Sequence, residues 1–108
     1  GAGPYVSPEI FAFPGNPNTG YVIVTPSTDI FSFGVVLLEI LSGYFAPRGG
    51  HPKYTALRHG EVKLNDGTYQ TNCSPHLVSL VNQMLSPDPL LRPTAHQILM
   101  HPMIRGIS

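Results

Sequence analysis

Residues 27–43 read STDIFSFGVVLLEILSG and contain the longest strongly apolar stretch of the chain. Ser27 and Thr28 carry hydroxyl groups that can cap the amino end of a helix, and Gly43 is a typical helix stop. The pattern therefore predicts a helix that runs from this cap to about Ser42. Its apolar side chains lie on nearly every side, and a helix that is apolar all round is buried all round. We expect it to be the central helix of the domain.

The composition indicates a folded domain built from several short elements. The chain has 108 residues and no net charge, with 42% of its residues hydrophobic and 11% charged. It is not expected to be disordered, because disordered chains are rich in charge and poor in apolar side chains. Six dispersed lysines and arginines also argue against nucleic acid as a partner, since its phosphates need clustered cations. The 11 glycines and 12 prolines predict frequent turns.

Local signals predict shorter helices around the central one. A helical turn is expected through Ile10 and Phe11, and residues 14–25 are expected to form a loop with a candidate strand at 21–24. Pro52 suits the first turn of a helix that Gly60 ends. Residues 61–72 are ambiguous, because the hairpin signal Asp66-Gly67 and a plain loop fit equally well.

The last third of the sequence predicts two more helices. Ser74-Pro75 starts one that continues to about Ser86, with apolar residues at helical spacing. Thr94 and Gln97 form a capping box that starts the last helix, and His101-Pro102 ends it. The sum is a mainly α domain of four or five helices around the central one.

Charge and cysteine content bear on partners and location. Residues 1–47 hold three acids and no Lys or Arg, so an acid there finds a cation only in residues 48–108, although solvated side chains explain the charges equally simply. Cys73 is the single cysteine, which excludes an intrachain disulfide and favours an intracellular location. The apolar run 30–41 is too short for a span of about 20 residues, so no membrane partner is expected.

Three segments, in order, resemble the C-terminal lobe of eukaryotic protein kinases. Residues 1–9 (GAGPYVSPE) are similar to the end of an activation segment with its Ala-Pro-Glu motif. Residues 29–35 (DIFSFGV) are similar to the Asp-x-Trp-Ser-x-Gly start of the long buried kinase helix, with Phe31 in place of Trp. Residues 85–95 (LSPDPLLRPTA) are similar to the late Arg-Pro segment. The resemblance covers nearly all of residues 1–108 and implies part of a kinase domain that begins in mid-motif.

The resemblance implies two structural roles. In the family, the Glu of Ala-Pro-Glu pairs with the Arg of the late segment, which here means Glu9 with Arg92, and we expect the pair to be buried. The alternative is a surface pair worth about 0–1 kcal/mol. Asp29 corresponds to an acid that holds the catalytic loop through backbone amides, whereas without that loop it is left to solvent or to a local cap.

The resemblance also implies a substrate-facing segment of the serine/threonine type. Its residues are Gly1, Ala2, Gly3, Pro4, Tyr5 and Val6, which would shape the pocket for the residue after the phosphoacceptor. The family's usual second residue is Thr, whose hydroxyl contacts the catalytic Asp and Lys, and Ala2 lacks that hydroxyl. Either the kinase works without this contact or it is impaired.

No catalytic residue is expected in these 108 residues. They contain no Gly-x-Gly-x-x-Gly, no Val-Ala-x-Lys, no His-Arg-Asp and no Asp-Phe-Gly, so the cofactors ATP and Mg²⁺ belong to the parent kinase and none is expected here. Cys73-x-x-His76 has ligand-like spacing but no second pair, so no metal site is expected. Met84, Met100 and Met103 are expected in the core.

The resulting hypothesis is a partial kinase domain over residues 1–108, whose parent phosphorylates protein Ser or Thr. Its expected partners are the missing part of its own kinase domain and a protein substrate. Segments around 57–60 and 80–93 resemble Wee-like and NIMA-related kinases. The alternatives are a pseudokinase scaffold, which Ala2 favours, and a stand-alone helical interaction domain.

Overall fold

The chain folds into short helices around one long helix. The computed structural model describes residues 5–12, 25–46 and 53–105, and these contain six α-helices and no strand. The helices are α1 (Pro8–Ala12), α2 (Pro26–Ser42), α3 (Lys53–Arg58), α4 (Pro75–Met84), α5 (Ala95–Met100) and α6 (Pro102–Arg105), with a 3₁₀ turn at Pro89–Leu91. The mainly α class is thus confirmed. The candidate strand at 21–24 and the turn at Pro52 lie outside the described residues.

The long helix α2 begins at Pro26, one residue before the predicted cap residues Ser27 and Thr28, and ends where predicted. Thr25 is the N-cap, and it exchanges hydrogen bonds with Thr28 in a capping box, while Pro26 takes the first helical position. Proline is tolerated there because its missing N–H would have no helical partner. At the other end Gly43 has a φ of 79° and donates its N–H to the Glu39 carbonyl at 2.9 Å.

One side of α2 lies in the core and another side does not. Phe31, Val35 and Leu38 are fully buried. Phe33 and Ile40 are 49% and 68% exposed, so the prediction that α2 is buried on every side is wrong for the described residues. No described element covers that second side, which remains apolar.

Helix α4 packs directly on the buried side of α2. A Cβ built on Gly34 would lie 2.9 Å from Met84 Cβ, closer than real Cβ atoms approach each other. Glycine at this position therefore lets the two helices come together, and Met84 and Leu85 fill the contact as core residues. The core location predicted for Met84 is confirmed.

The ambiguous segment 61–72 is a turn stabilised by side chains. Asp66 and Tyr69 form an isolated antiparallel bridge, and the Asn65 N–H donates to the Tyr69 carbonyl at 2.6 Å. Asn82 of α4 accepts from the Leu64 N–H at 2.8 Å and donates to the Leu64 carbonyl at 3.1 Å. This amide replaces the partner strand that a longer hairpin would need.

The C-terminal helices differ from the prediction in three places. Helix α4 ends at Met84 instead of about Ser86. The Thr94–Gln97 capping box and the end of α5 at His101 are confirmed, but a further helix, α6, begins at Pro102, and its Ile104 N–H donates to the His101 carbonyl at 2.9 Å. Met100 is 48% exposed, so its predicted place in the core is wrong. The side chain of Met103 lies outside the described part.

Candidate functional site

Glu9 of α1 and Arg92 face each other across the fold. Arg92 Nη1 donates to Glu9 Oε2 at 2.7 Å, and Arg92 Nη2 donates to Glu9 Oε1 at 2.8 Å. The two residues are 83 positions apart in sequence. Two parallel bonds of this kind fix orientation as well as distance, because the planar guanidinium matches the two carboxylate oxygens.

Arg92 is held on every side of its guanidinium group. Its Nε donates to the Ser86 carbonyl at 2.8 Å, and its Nη1 also donates to the Ser27 carbonyl at 3.1 Å. Its Cζ lies 5.0 Å from the centre of the Phe31 ring, within the range of a cation–π contact. Phe31 thus fills the place where the kinase pattern has Trp and keeps an aromatic face toward the cation.

The two partners differ in burial. The Arg92 side chain is 0% exposed and the Glu9 side chain is 27% exposed. Burial alone would raise the pKa of the Glu9 carboxyl, but hydrogen bonds and the charge of Arg92 outweigh it, and the pKa lies below its usual value of 4.5. The Thr28 hydroxyl adds a longer contact to Glu9 Oε2 at 3.3 Å, which links the pair to the first turn of α2.

Tyr5 is attached to α2 at two points. Its Oη donates to Glu39 Oε1 at 2.5 Å, and its carbonyl accepts from Ser32 Oγ at 2.5 Å. The other oxygen of Glu39 accepts from the Ala46 N–H at 2.8 Å. The segment before α1 is therefore bonded to the middle and to the C-terminal end of α2.

The remaining predicted site residues are not brought together. Asp29 is exposed in the first turn of α2, and its carboxylate makes no hydrogen bond or ion pair with any described residue. An acid there still interacts favourably with the helix dipole. Val6 is half-buried, and Gly1, Ala2, Gly3 and Pro4 lie outside the described residues.

Sequence reasoning missed Glu39 and Ser32. Both are polar residues in the apolar run of α2, and both bond to Tyr5. A signal was present, because a carboxylate in a helix predicted to be buried needs a hydrogen-bonding partner. The sequence does not predict which residue is that partner, since Tyr5 lies 34 residues away from Glu39 in the chain.

The described residues hold no group of three or more His, Cys, Asp or Glu side chains that could bind a metal ion. Cys73 is half-buried and accepts from Thr71 Oγ1 at 3.2 Å, and His76 is exposed. Among the same residues, no helix has both the length and the hydropathy that a bilayer span requires. The hydrogen bonds of Tyr5 and Glu9 hold residues 5–9 against helix α2 and Arg92.

Comparison with known proteins identifies the family of this chain. The family model of the protein kinase domain matches residues 1–104. The chain belongs to the protein kinase family. A Wee1-like protein kinase of Oryza sativa subsp. japonica is 39% identical over 75 residues, which is 69% of this kinase chain and 13% of the relative.

Two further relatives extend the comparison. A membrane-associated tyrosine- and threonine-specific cdc2-inhibitory kinase of Drosophila melanogaster is 35% identical over 76% of the chain and 15% of the relative. A calcium and calcium/calmodulin-dependent serine/threonine-protein kinase of Lotus japonicus is 31% identical over 94% of the chain and 18% of the relative. This kinase chain thus spans less than a fifth of the length of each of these three relatives.

Proposed function

We propose that the chain is the C-terminal portion of the large lobe of a protein kinase that transfers the γ-phosphate of ATP to protein Ser or Thr. Its own part would be to supply the substrate-facing segment and the helical core beneath it. The observation that carries the proposal is the double attachment of residues 5–9, through Glu9 to Arg92 and through Tyr5 to Glu39. A segment that positions a peptide has to be rigid, because misplacement of the reacting groups lowers the rate steeply.

The rest of the same kinase domain is the proposed first partner. Phe33 and Ile40 present an apolar surface on α2 that no described element covers. The sequence has none of the motifs that cradle phosphates, bind Mg²⁺ or accept the substrate proton, so those groups and the bound ATP would come from that partner. A protein substrate is the second partner, and an intracellular location fits the single cysteine.

The relatives support a Ser/Thr kinase of the Wee-like or calcium-dependent kind. The rice relative is Wee1-like and the Lotus relative is a serine/threonine kinase. A NIMA-related kinase remains the other subfamily that the sequence pattern suggests.

A pseudokinase is the second candidate, and Ala2 is the feature that favours it. A methyl group cannot replace the Thr hydroxyl that bonds the catalytic Asp and Lys in the family. A stand-alone helical interaction domain is less favoured, because the family model of the protein kinase domain matches residues 1–104.

The coding sequence that precedes Gly1 provides the test. We expect it to encode His-Arg-Asp and Asp-Phe-Gly motifs, and the encoded protein to transfer ³²P from Mg·ATP to Ser or Thr of a generic protein substrate. A protein that lacks those motifs and shows no nucleotide-dependent rise in melting temperature would be a pseudokinase.

Substitution at Ala2 then shows whether the enzyme tolerates the missing Thr hydroxyl or is impaired by it. If the missing hydroxyl limits the rate, Ala2→Thr raises kcat, whereas Ala2→Val, which has nearly the same shape without the hydroxyl, does not. Equal kcat for all three proteins would mean that this kinase works without the contact.

A further inference from the structure

A chain of hydrogen bonds connects the 66–69 turn to Tyr5. Tyr69 Oη donates to the Phe45 carbonyl at 3.0 Å. The Ala46 N–H donates to Glu39 Oε2 at 2.8 Å, and Tyr5 Oη donates to Glu39 Oε1 at 2.5 Å. The Phe45 carbonyl and the Ala46 N–H belong to the same peptide unit, so the three bonds are consecutive.

The middle of this chain transmits changes because it is rigid and polarisable. The peptide unit is planar, and a shift of its carbonyl therefore moves its N–H as well. A carbonyl that accepts a hydrogen bond also makes the N–H of its unit a stronger donor, and this effect is larger away from water. Ala46 is 2% exposed and Tyr69 is 6% exposed, so the chain of hydrogen bonds starts in the protein interior.

At the Tyr5 end, the backbone and the ring are held by different groups. Ser32 fixes the Tyr5 carbonyl, whereas Glu39 fixes the hydroxyl and with it the direction of the ring. Glu39 in turn shares its carboxylate between Tyr5 and Ala46. The position of the Tyr5 ring thus depends on the peptide unit that Tyr69 holds.

We propose that Tyr69 is a positioning residue for the substrate-facing segment and that it acts on Tyr5 through the 45–46 peptide unit and Glu39. This inference rests on the proposed function, because it takes Tyr5 to face a peptide substrate. It makes the loop between α3 and α4, which lies far from residues 1–6 in sequence, a determinant of substrate affinity.

The first test measures the hydrogen-bonded chain without any assay of activity. Tyr69→Phe removes the hydroxyl and keeps the buried ring, so the core stays filled. In NMR spectra of the 108-residue chain we expect this change to move the Ala46 amide proton upfield and to shift the Glu39 carboxyl carbon and the Tyr5 ring signals. Tyr44→Phe is the matched control, because Tyr44 is 59% exposed and its hydroxyl bonds to no described residue.

The second test measures the consequence for substrate in the active parent protein. We expect Tyr69→Phe to raise KM for a peptide about three- to tenfold, as one lost hydrogen bond allows, and to leave KM for ATP unchanged. In a Tyr5→Phe background, Tyr69→Phe should raise KM for the peptide little further, since the chain of hydrogen bonds is already broken at Tyr5. Tyr44→Phe should leave both KM values unchanged.

Each outcome decides the inference. Unmoved Glu39 and Tyr5 signals in Tyr69→Phe would overturn it, and so would shifted signals with an unchanged peptide KM. Additive effects of Tyr69→Phe and Tyr5→Phe would also overturn it, because they would mean separate routes. A parent without phosphotransfer would instead contradict the proposed function, while the NMR result would still show whether Tyr69 acts on Tyr5.

Discussion

Glu9 and Arg92 are bonded to each other, yet they differ in what happens when the partner is removed. Arg92 is enclosed by the Ser27 and Ser86 carbonyls and the Phe31 ring, and water cannot reach it. Glu9 is partly exposed and keeps some contact with solvent. Loss of the carboxylate therefore leaves a buried cation without its counter-charge, which is the more costly of the two changes.

The first prediction concerns Glu9→Ala. We expect the free energy of unfolding to fall by about 3 kcal/mol, the lower end of the range for a broken buried pair, because Glu9 is partly exposed. Asp29→Ala is the control, since Asp29 is an exposed acid in the first turn of a helix and should change stability by less than about 1 kcal/mol. Urea unfolding measures both, and equal losses would contradict a special role for Glu9.

The second prediction concerns pH. The pKa of Glu9 is lower in the folded chain than its usual 4.5, so the folded state favours the ionised form. The resulting stabilisation is fully present above the unfolded-state pKa, and it is lost as the pH falls below 4.5 and through the folded-state value. Denaturant unfolding between pH 7 and pH 3 should show a steeper loss for the wild type than for Glu9→Gln. Parallel curves would contradict the prediction.

At the scale of elements, close packing depends on single glycines. Gly60 ends α3 with a φ of 78°, and a Cβ there would lie 2.9 Å from Pro87 Cδ. Gly67 has a similar φ of 74°, but a Cβ there would meet nothing within 4 Å. The two positions therefore share the backbone requirement for glycine and differ only in packing.

The third prediction uses this pair. Gly67→Ala should lower the free energy of unfolding by about 1 kcal/mol, the cost of a left-handed backbone for a residue with a Cβ. Gly60→Ala should lower it by about 2–3 kcal/mol, because the contact with Pro87 adds steric strain. Thermal unfolding of both variants checks the difference, and a similar loss in both would show that Pro87 moves aside freely.

The elements that sequence reasoning found are those with local causes. The Thr94–Gln97 capping box and the helix end at Gly43 depend on residues within one helical turn, so the sequence predicts them without knowledge of the fold. The sequence does not predict helix α6, because His101-Pro102 indicates the end of a helix, although proline suits a first helical position equally well. The bonds of Glu39 to Tyr5 and Ala46 were missed because they depend on how α2 packs, which no local pattern encodes.

At the scale of the whole molecule, the exposed side of α2 is the feature that needs explanation. Phe33 and Ile40 lie on the longest helix, and soluble proteins rarely leave contiguous apolar surface to water. Under the proposed function this surface is covered by the remainder of the kinase domain. A charged substitution on this surface should then change the stability of the isolated chain little and that of the complete domain strongly.

The fourth prediction tests this difference with Ile40→Lys. In the 108-residue chain we expect reduced binding of an apolar-surface dye and little change in melting temperature, because Ile40 is 68% exposed. In the complete domain the buried lysine should lower the melting temperature by several degrees or prevent folding. Leu90→Lys is the control, since Leu90 is 90% exposed on the 3₁₀ turn and should be tolerated in both. A complete domain that tolerates Ile40→Lys would contradict the proposed cover.

The 83-residue separation of Glu9 and Arg92 also has a consequence for synthesis on the ribosome. At about 5–20 residues per second, the carboxylate emerges from the exit tunnel roughly 4–17 s before the arginine does. During that interval residues 5–12 lack their main anchor, and chaperones can bind the nascent segment. Codon changes that slow translation between the two positions should therefore lower the yield of native protein without altering any side chain.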